Sequence, residues 1–343
     1  MEKLLRFLVL FGSAIGVVPF QYSIGYADGK FSSKWWPCVG TAYCIFGLGY
    51  FILIGADYWV NVGPIFFGNY GANSTLPLSY RVTNMAIMFT HDVDMTVIHL
   101  NALFHAREFF TLLHFLQQLR ARLANSTCEP TRHSSFGKVA FLVMTFAASG
   151  AFYANKYFQI QKYYQIFLSD DFNSWFLPKH SHLTAVLGVI PDVMHALVLN
   201  FALMEFTFLV LTFLDLYARY GDLMSNCLEQ TKSSKNEVAR VAGNIHERES
   251  HDERYCGQTG ETFESLSGAD TLEMLKQCLD LLNSVCGLNL CALVTTGTVT
   301  VTWLTFGFAT EGATFGLSAL LSILLTFAII AGLGEHFEST VSH

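Results

Sequence analysis

The sequence predicts an all-α, polytopic helical membrane protein. Hydrophobic residues fill 52% of the 343 positions and charged residues only 14%. A soluble domain carries about a quarter charged residues, so this chain lacks the polar surface to cover a soluble globule. The apolar residues, 31 Phe among them, also gather in stretches near the ~20 residues that cross a bilayer as a helix. Together these exclude a disordered chain and a small disulfide-bonded secreted domain, and they point away from a cytosolic enzyme. A net charge of −7 offers no basic surface for nucleic acid. The eight cysteines form no Cys-x-x-Cys pair, which argues against zinc. Most sit in apolar stretches, where a cysteine behaves as a small hydrophobe.

Six stretches qualify as spans. Residues 35–56 form a clean run ending at Asp57. Residues 82–106 are long enough but hold His91, Asp92, Asp94, His99 and His105. Residues 139–154 are short and extend naturally to Phe158. Residues 183–217 carry Asp192, His195, Glu205 and Asp215. Residues 288–308 are rich in Thr, and residues 315–334 are rich in Leu and Ile. The opening run, 4–20, fits three readings: a signal peptide core, a span, or a helix that dips into the bilayer without crossing.

Charge separates these readings, because cytoplasmic loops carry the excess of Lys and Arg. With the N-terminus inside and 4–20 not crossing, 16 of the 20 basic residues lie inside. Only Arg81, Lys156, Lys162 and Lys179 lie outside. If 4–20 crossed, the split would be 6 inside and 14 outside. The expected topology therefore has six spans and a cytoplasmic N-terminus in a multi-pass plasma-membrane protein. Residues 1–34 form an N-terminal segment with a non-crossing apolar helix. Residues 35–230 hold four spans with cytoplasmic helical extensions, 231–270 form a flexible cytoplasmic loop, and 271–343 hold a cytoplasmic helix and two spans. The sequon at Asn73-Ser74-Thr75 falls outside, making Asn73 a candidate glycosylation site, while that at Asn125-Ser126-Thr127 falls inside.

Two spans continue as helices below the bilayer. After Arg107, the residues Phe109, Leu112, Leu113, Leu116, Leu119 and Leu123 recur at helical spacing, with Arg120 and Arg122 elsewhere. The helical pattern after Tyr217 runs to about residue 230. A third piece, 272–285, sets Leu275, Leu279, Leu282 and Val285 on one face and leads into the fifth span. Three apolar stripes point to a packed helical layer rather than to separate helices lying on the membrane surface. In 231–270, His246 and His251 flank a charged stretch. Their i, i+5 spacing does not place two imidazoles on one helical face, as a zinc-protease motif requires.

Ionisable residues at membrane depth cost about 2.5–3.5 kcal/mol each and mark functional candidates. From the outer surface, Asp92 lies about 15 Å down, and Asp192 and His195 about 14–18 Å. Thr298 and Thr300 reach a similar depth. Asp92, Asp94, Asp192, His195, Thr298 and Thr300 thus form a candidate chamber for a small polar molecule, with carboxylates suited to hydroxyls or amines. The plain alternative is that these groups satisfy one another at helix contacts. The histidines lack the spacing of membrane di-iron enzymes, and no Ser-His-Asp set or Gly-rich phosphate loop occurs. No enzyme activity, metal or cofactor is expected.

The ordered set of motifs resembles the insect chemoreceptor superfamily, specifically the gustatory receptors, over nearly the whole chain. The opening FLVLFGSAIGVVPF is similar to that family's non-crossing start, with Gly16, Pro19 and Phe20 at a Gly-x-x-Pro-Phe turn. REFFTLLHFLQQLRARL resembles the cytoplasmic tail of its second span. LEMLKQCLDLLNSVCGLNLCALV resembles its Leu-rich helix followed by Asn-x-x-Phe-Gly; here Asn283 and Gly287 fit, while Cys286 replaces the aromatic. The resemblance implies a subunit of a homo- or hetero-tetrameric ligand-gated cation channel in the lipid bilayer. It would open to a small external tastant bound among the spans. The family's last span carries TYhhhhhQF, with h apolar. This chain instead reads GLGEHFESTVSH at its end, so the resemblance predicts a receptor without that pore helix, as a fragment or a truncated product.

Two other classes compete. A transporter would use the intramembrane acids for ion coupling, but no internal repeat is visible and only residues 188–191 would break a span. A G-protein-coupled receptor would need an outside N-terminus and an Asn-Pro-x-x-Tyr, which is absent.

Overall fold

A computed structural model describes residues 2–18, 42, 45–49, 52–53, 56, 78–124, 135–168, 182–245, 264–311 and 316–341. These residues are helical apart from short turns. Seven long helices are α1 (Glu2–Ala14), α2 (Leu78–Phe104), α3 (Ala106–Ala124), α4 (Ser135–Leu168), α5 (His182–Ile245), α6 (Glu264–Glu311) and α7 (Leu317–Val341). Most of the first expected span, and Pro19, Phe20 and Asn73, lie outside the described residues.

α5 is the centre of the bundle and touches every other long helix. Its sequence explains why. Phe201, Leu203, Leu209, Val210, Leu211 and Phe213 are buried and point in all directions around the axis, and a helix that is apolar all round has to be enclosed. Its most apolar window is 89% buried, against 17% for α4 and 22% for α7. The outer helices instead expose Val139, Val143, Phe146, Leu317, Leu321 and Leu324, an apolar surface of the kind lipid tails cover. By length and composition, α4, α5, α6 and α7 each hold a stretch able to cross a membrane. α2 falls short on composition because of its acids and histidines, and it turns several of them inward.

α3 follows α2 with scarcely a break. At His105 the chain keeps helical hydrogen bonds on both sides, His105 N to Asn101 O and Phe109 N to His105 O, each 2.9 Å. The apolar stripe read from the sequence is the buried one: Phe109, Leu112, Leu113, Leu116, Leu119 and Leu123 pack on α5 and α6, and Arg120 and Arg122 are exposed. Leu275, Leu282 and Val285 of α6 are buried with them. Nearby, Lys138 of α4 donates to Asp215 of α5, and Arg219 reaches the same carboxylate at 3.3 Å.

Two helices run further than the periodicity predicts. α5 is 64 residues, about 96 Å at 1.5 Å per residue, and continues past residue 230 to Ile245. Elongating an existing helix adds one hydrogen bond per residue ordered, without a new nucleus, and 231–245 contains no proline. The expected loop 231–270 is therefore shortened at both ends, since α6 starts at Glu264. The rest of it, His246 and His251 included, lies outside the described residues. α5 also runs through Pro191; packed neighbours and local adjustment accommodate a proline in a membrane helix.

α1 is 13 residues, about 20 Å and short of the ~30 Å hydrocarbon core. It ends in a left-handed cap at Gly16, with φ of 76°. The amides of Val17 and Val18 then return to Gly12 O at 2.9 and 3.0 Å. The turn sends Val17 and Val18 into the core beside Leu5, Leu8 and Val9. Gly12 faces the Phe201 ring so closely that an added Cβ would overlap it.

Gly16→Ala should therefore cost about 1–2 kcal/mol, the left-handed penalty for a residue with a Cβ. It should lower the melting temperature of the detergent-solubilised chain. Gly150→Ala in α4, whose added Cβ meets nothing within 4 Å, should be neutral or stabilise by up to about 1 kcal/mol. Equal melting of the two variants would show that the α1 turn holds nothing in place.

Candidate functional site

A cavity of about 90 Å³, room for several waters, lies among α2, α4, α5, α6 and α7. It sits toward the end of α4 opposite Lys138, 17 residues further along the helix at Asn155, or about 26 Å. One part of the wall is apolar, from Phe152, Leu199, Leu203, Leu293, Trp303 and Ile323. The other part is polar, from His91, Asn155, Lys156, Asn200, Thr296 and Thr300. Mixed walls of this kind suit a small ligand: apolar surface for affinity and a few polar groups for orientation.

Hydrogen bonds brace the wall. Thr296 donates to the buried carboxylate of Asp94, linking α6 to α2. Ser322 of α7, also a wall residue, donates to Ala148 O of α4 at 2.9 Å. Asn200 donates to Ala196 O at 2.8 Å. Gly297 lets α7 come close, since a Cβ there would stand 2.7 Å from the Phe327 ring.

The residues expected from the sequence divide by helix face. Thr300 lines the cavity. Asp94, 2% exposed, stands behind the wall through its bond to Thr296. His195 is also a layer behind: its ring lies 4.0 Å from that of His91, centroid to centroid, and 6.4 Å from Phe152. Neither His195 ring nitrogen has a hydrogen-bond partner. Asp92 and Thr298 are not brought to the cavity. Both are exposed, and Thr298 returns its hydroxyl to Val294 O at 2.8 Å. The reason is angular. Two residues along a helix rotate the side chain by about 200°, so Asp92 opposes Asp94, and Thr298 opposes Thr296 and Thr300. Depth alone does not select a face. The Asp192 side chain lies outside the described residues, as does Asn73.

Sequence reasoning missed His91, Asn155, Lys156, Asn200 and Thr296. Lys156 reads as a loop charge near the end of a span, yet it is 2% exposed. Thr296 was findable, being one turn before Thr300 on the same face. Among the described residues, no three of His, Cys, Asp or Glu are grouped to hold a metal ion.

A second polar cluster lies further along α5 and α6. Asn289 donates to Glu205 at 2.7 Å, and Asn101 donates to Asn289 at 3.0 Å and to Val285 O at 2.7 Å. It ties α2, α5 and α6 around a space of about 10 Å³ that Val17 and Val18 also border. One water fills such a volume.

No protein-family model matches the sequence, and no curated protein matches it either. Among solved structures, the chain is similar to the insect olfactory receptor OR5 from Machilis hrabei, with a TM-score of 0.56 and 11% identity. The match covers 98% of this chain and 78% of that receptor. At this identity the likeness is one of fold: the chain has the helical architecture of an insect olfactory receptor.

The Asp94–Thr296 link is measurable. Thr296→Val should destabilise by about 1–3 kcal/mol, since it leaves a buried acceptor without its donor. Thr296→Ser should recover most of the loss. Combined with Asp94→Asn in a double-mutant cycle read by thermal unfolding, the pair should show a coupling above about 0.5 kcal/mol. Strict additivity would mean that the link contributes nothing.

Proposed function

We propose that this chain is a chemosensory receptor subunit of the gustatory type, contributing to a ligand-gated cation channel that a small external molecule opens. The observation that carries the reading is the cavity. It is a mixed-polarity space lined by five helices, in a chain that follows an insect olfactory receptor fold over 98% of its length. Olfactory and gustatory readings share this fold. The taste reading rests on the sequence motifs around Gly16, Asn283 and Gly287.

The mechanism follows from connectivity. A ligand shifts a two-state equilibrium only by binding one state better than the other. Here the wall spans five helices, so a change in their spacing changes the fit of whatever lies inside. Thr296 passes such a change to α2 through Asp94, and Ser322 passes it between α7 and α4. α6 is continuous for 48 residues, about 72 Å. One rigid rod therefore joins the cavity wall to the layer packed on α3, where movement can reach neighbouring subunits of a tetramer.

Whole-cell recording tests this, with the chain expressed alone and beside a related receptor subunit during a screen of small soluble and volatile molecules. The expected result is a ligand-triggered cation current. Thr300→Phe, which fills the cavity, should shift half-maximal dose upward by at least about tenfold, or 1.4 kcal/mol. Thr302→Val, on an exposed face of the same helix, should leave it unchanged. Saturable uptake of a solute without ligand-triggered current would replace the reading with a transporter.

A further inference from the structure

We infer that the preferred ligand of this cavity is a small aliphatic alcohol, its hydroxyl hydrogen-bonded to Asn155 and Thr300 and its chain against the apolar wall. The inference rests on the cavity being the ligand site. Most polar groups of the wall are already engaged. Thr296 donates to Asp94, Asn200 to Ala196 O, Ser322 to Ala148 O and Thr326 to Ser322 O. Lys156 also has its contact within the protein. Three side chains that line the space differ: among the described residues, His91, Asn155 and Thr300 have no hydrogen-bond partner in the protein.

Thr300 differs from its neighbours on α6. Thr296, Thr298, Thr302 and Thr305 return their hydroxyls to carbonyls four residues back, a local bond that satisfies the donor without outside help. Thr300 does not make that bond, so its O–H is unspent where it meets the cavity. Asn155 brings an amide, whose oxygen accepts. Polar groups held out of bulk water without partners cost free energy, so a molecule that pairs them is stabilised there. The wall thus offers a donor from α6 and an acceptor from α4. A hydroxyl meets both with one heavy atom, since it donates once and accepts twice. A carbonyl or ether oxygen only accepts. His91, its ring against that of His195, borders the same space and can serve the remaining lone pair. Elsewhere in the wall, Phe152, Leu199, Leu203, Leu293 and Ile323 have no polar side-chain atoms and suit a hydrocarbon chain. Volume sets its length. At ~10–15 Å³ for one water, a space of about 90 Å³ takes about six to nine water-sized groups.

The test uses the full chain in lipid nanodiscs, with radiolabelled hexan-1-ol and 1-methoxypentane as probes and empty nanodiscs as the background. The two are isomers, and only the alcohol donates a hydrogen bond. Hexan-1-ol should bind at least about fivefold more tightly, the scale of one neutral hydrogen bond. Asn155→Leu, which removes the acceptor, should abolish that preference and leave the binding of the ether unchanged. Thr300→Val, which removes the donor at similar shape, should weaken both probes by a similar factor. If Asn155→Leu does not fold, the wild-type preference and the Thr300→Val result still decide the question. Equal binding of the two probes, both lost in Thr300→Phe, would overturn the alcohol preference and leave the cavity as a ligand site. A preference that survives Asn155→Leu would overturn the inference in the same way. Binding that Thr300→Phe leaves intact would remove both the cavity reading and the alcohol inference. No binding of either probe would overturn the alcohol inference, with the cavity reading then resting on the current recordings.

Discussion

Enclosing one helix on all sides leaves its polar residues no partner but its neighbours, and much of this architecture follows from that constraint on α5. The apolar residues of its central stretch, 196–216, are turned from lipid on nearly every side, so α1, α2, α3, α4, α6 and α7 supply the covering surface. Its polar residues then become contact points. Glu205 is satisfied by Asn289, which in turn takes Asn101. Asp215 is satisfied by Lys138 and Arg219. Truncating one partner of a buried hydrogen-bonded pair costs more than the pair contributes, so these links select one arrangement of the helices.

α6 shows how a single helix meets two environments. It carries Thr at 295, 296, 298, 300, 302 and 305. Thr298, Thr302 and Thr305 return their hydroxyls to carbonyls four residues back, so they can face outward without an unsatisfied donor. Thr296 and Thr300 turn inward, where Thr296, whose hydroxyl also lies 2.9 Å from Ala292 O, serves Asp94 and Thr300 meets the cavity. Gly297 lies between them and admits Phe327 of α7. The sequence shows a Thr-rich span; the pairing of α6 with α2 and α7 assigns different tasks to similar residues.

The candidate site was partly legible beforehand. The rule that ionisable groups at membrane depth are seldom idle pointed to Asp94 and His195, and both are buried beside the cavity wall. The same reasoning from depth named Asp92 and Thr298, which point away. Depth follows from residue count, but facing follows from helix rotation relative to neighbours that a single sequence does not identify. Lys156 was passed over for a related reason. Near a span end, a lysine that reaches water and one that turns into a cavity have the same sequence signature, and only the packing of α4 on α5 and α7 separates them.

By itself, the sequence determined the all-helical membrane class, the apolar stripe of α3 and the rough positions of four membrane-length helices. Each depends on local information: composition or a 3.6-residue period. Tertiary structure decided that α5 lies at the centre, and that His91, Lys156, Thr296 and Thr300 share one space with Asp94 and His195 behind it. Those outcomes depend on which faces of distant helices meet. Contacts between residues about 200 positions apart in the chain, such as Asp94 and Thr296, leave no periodic trace in either segment.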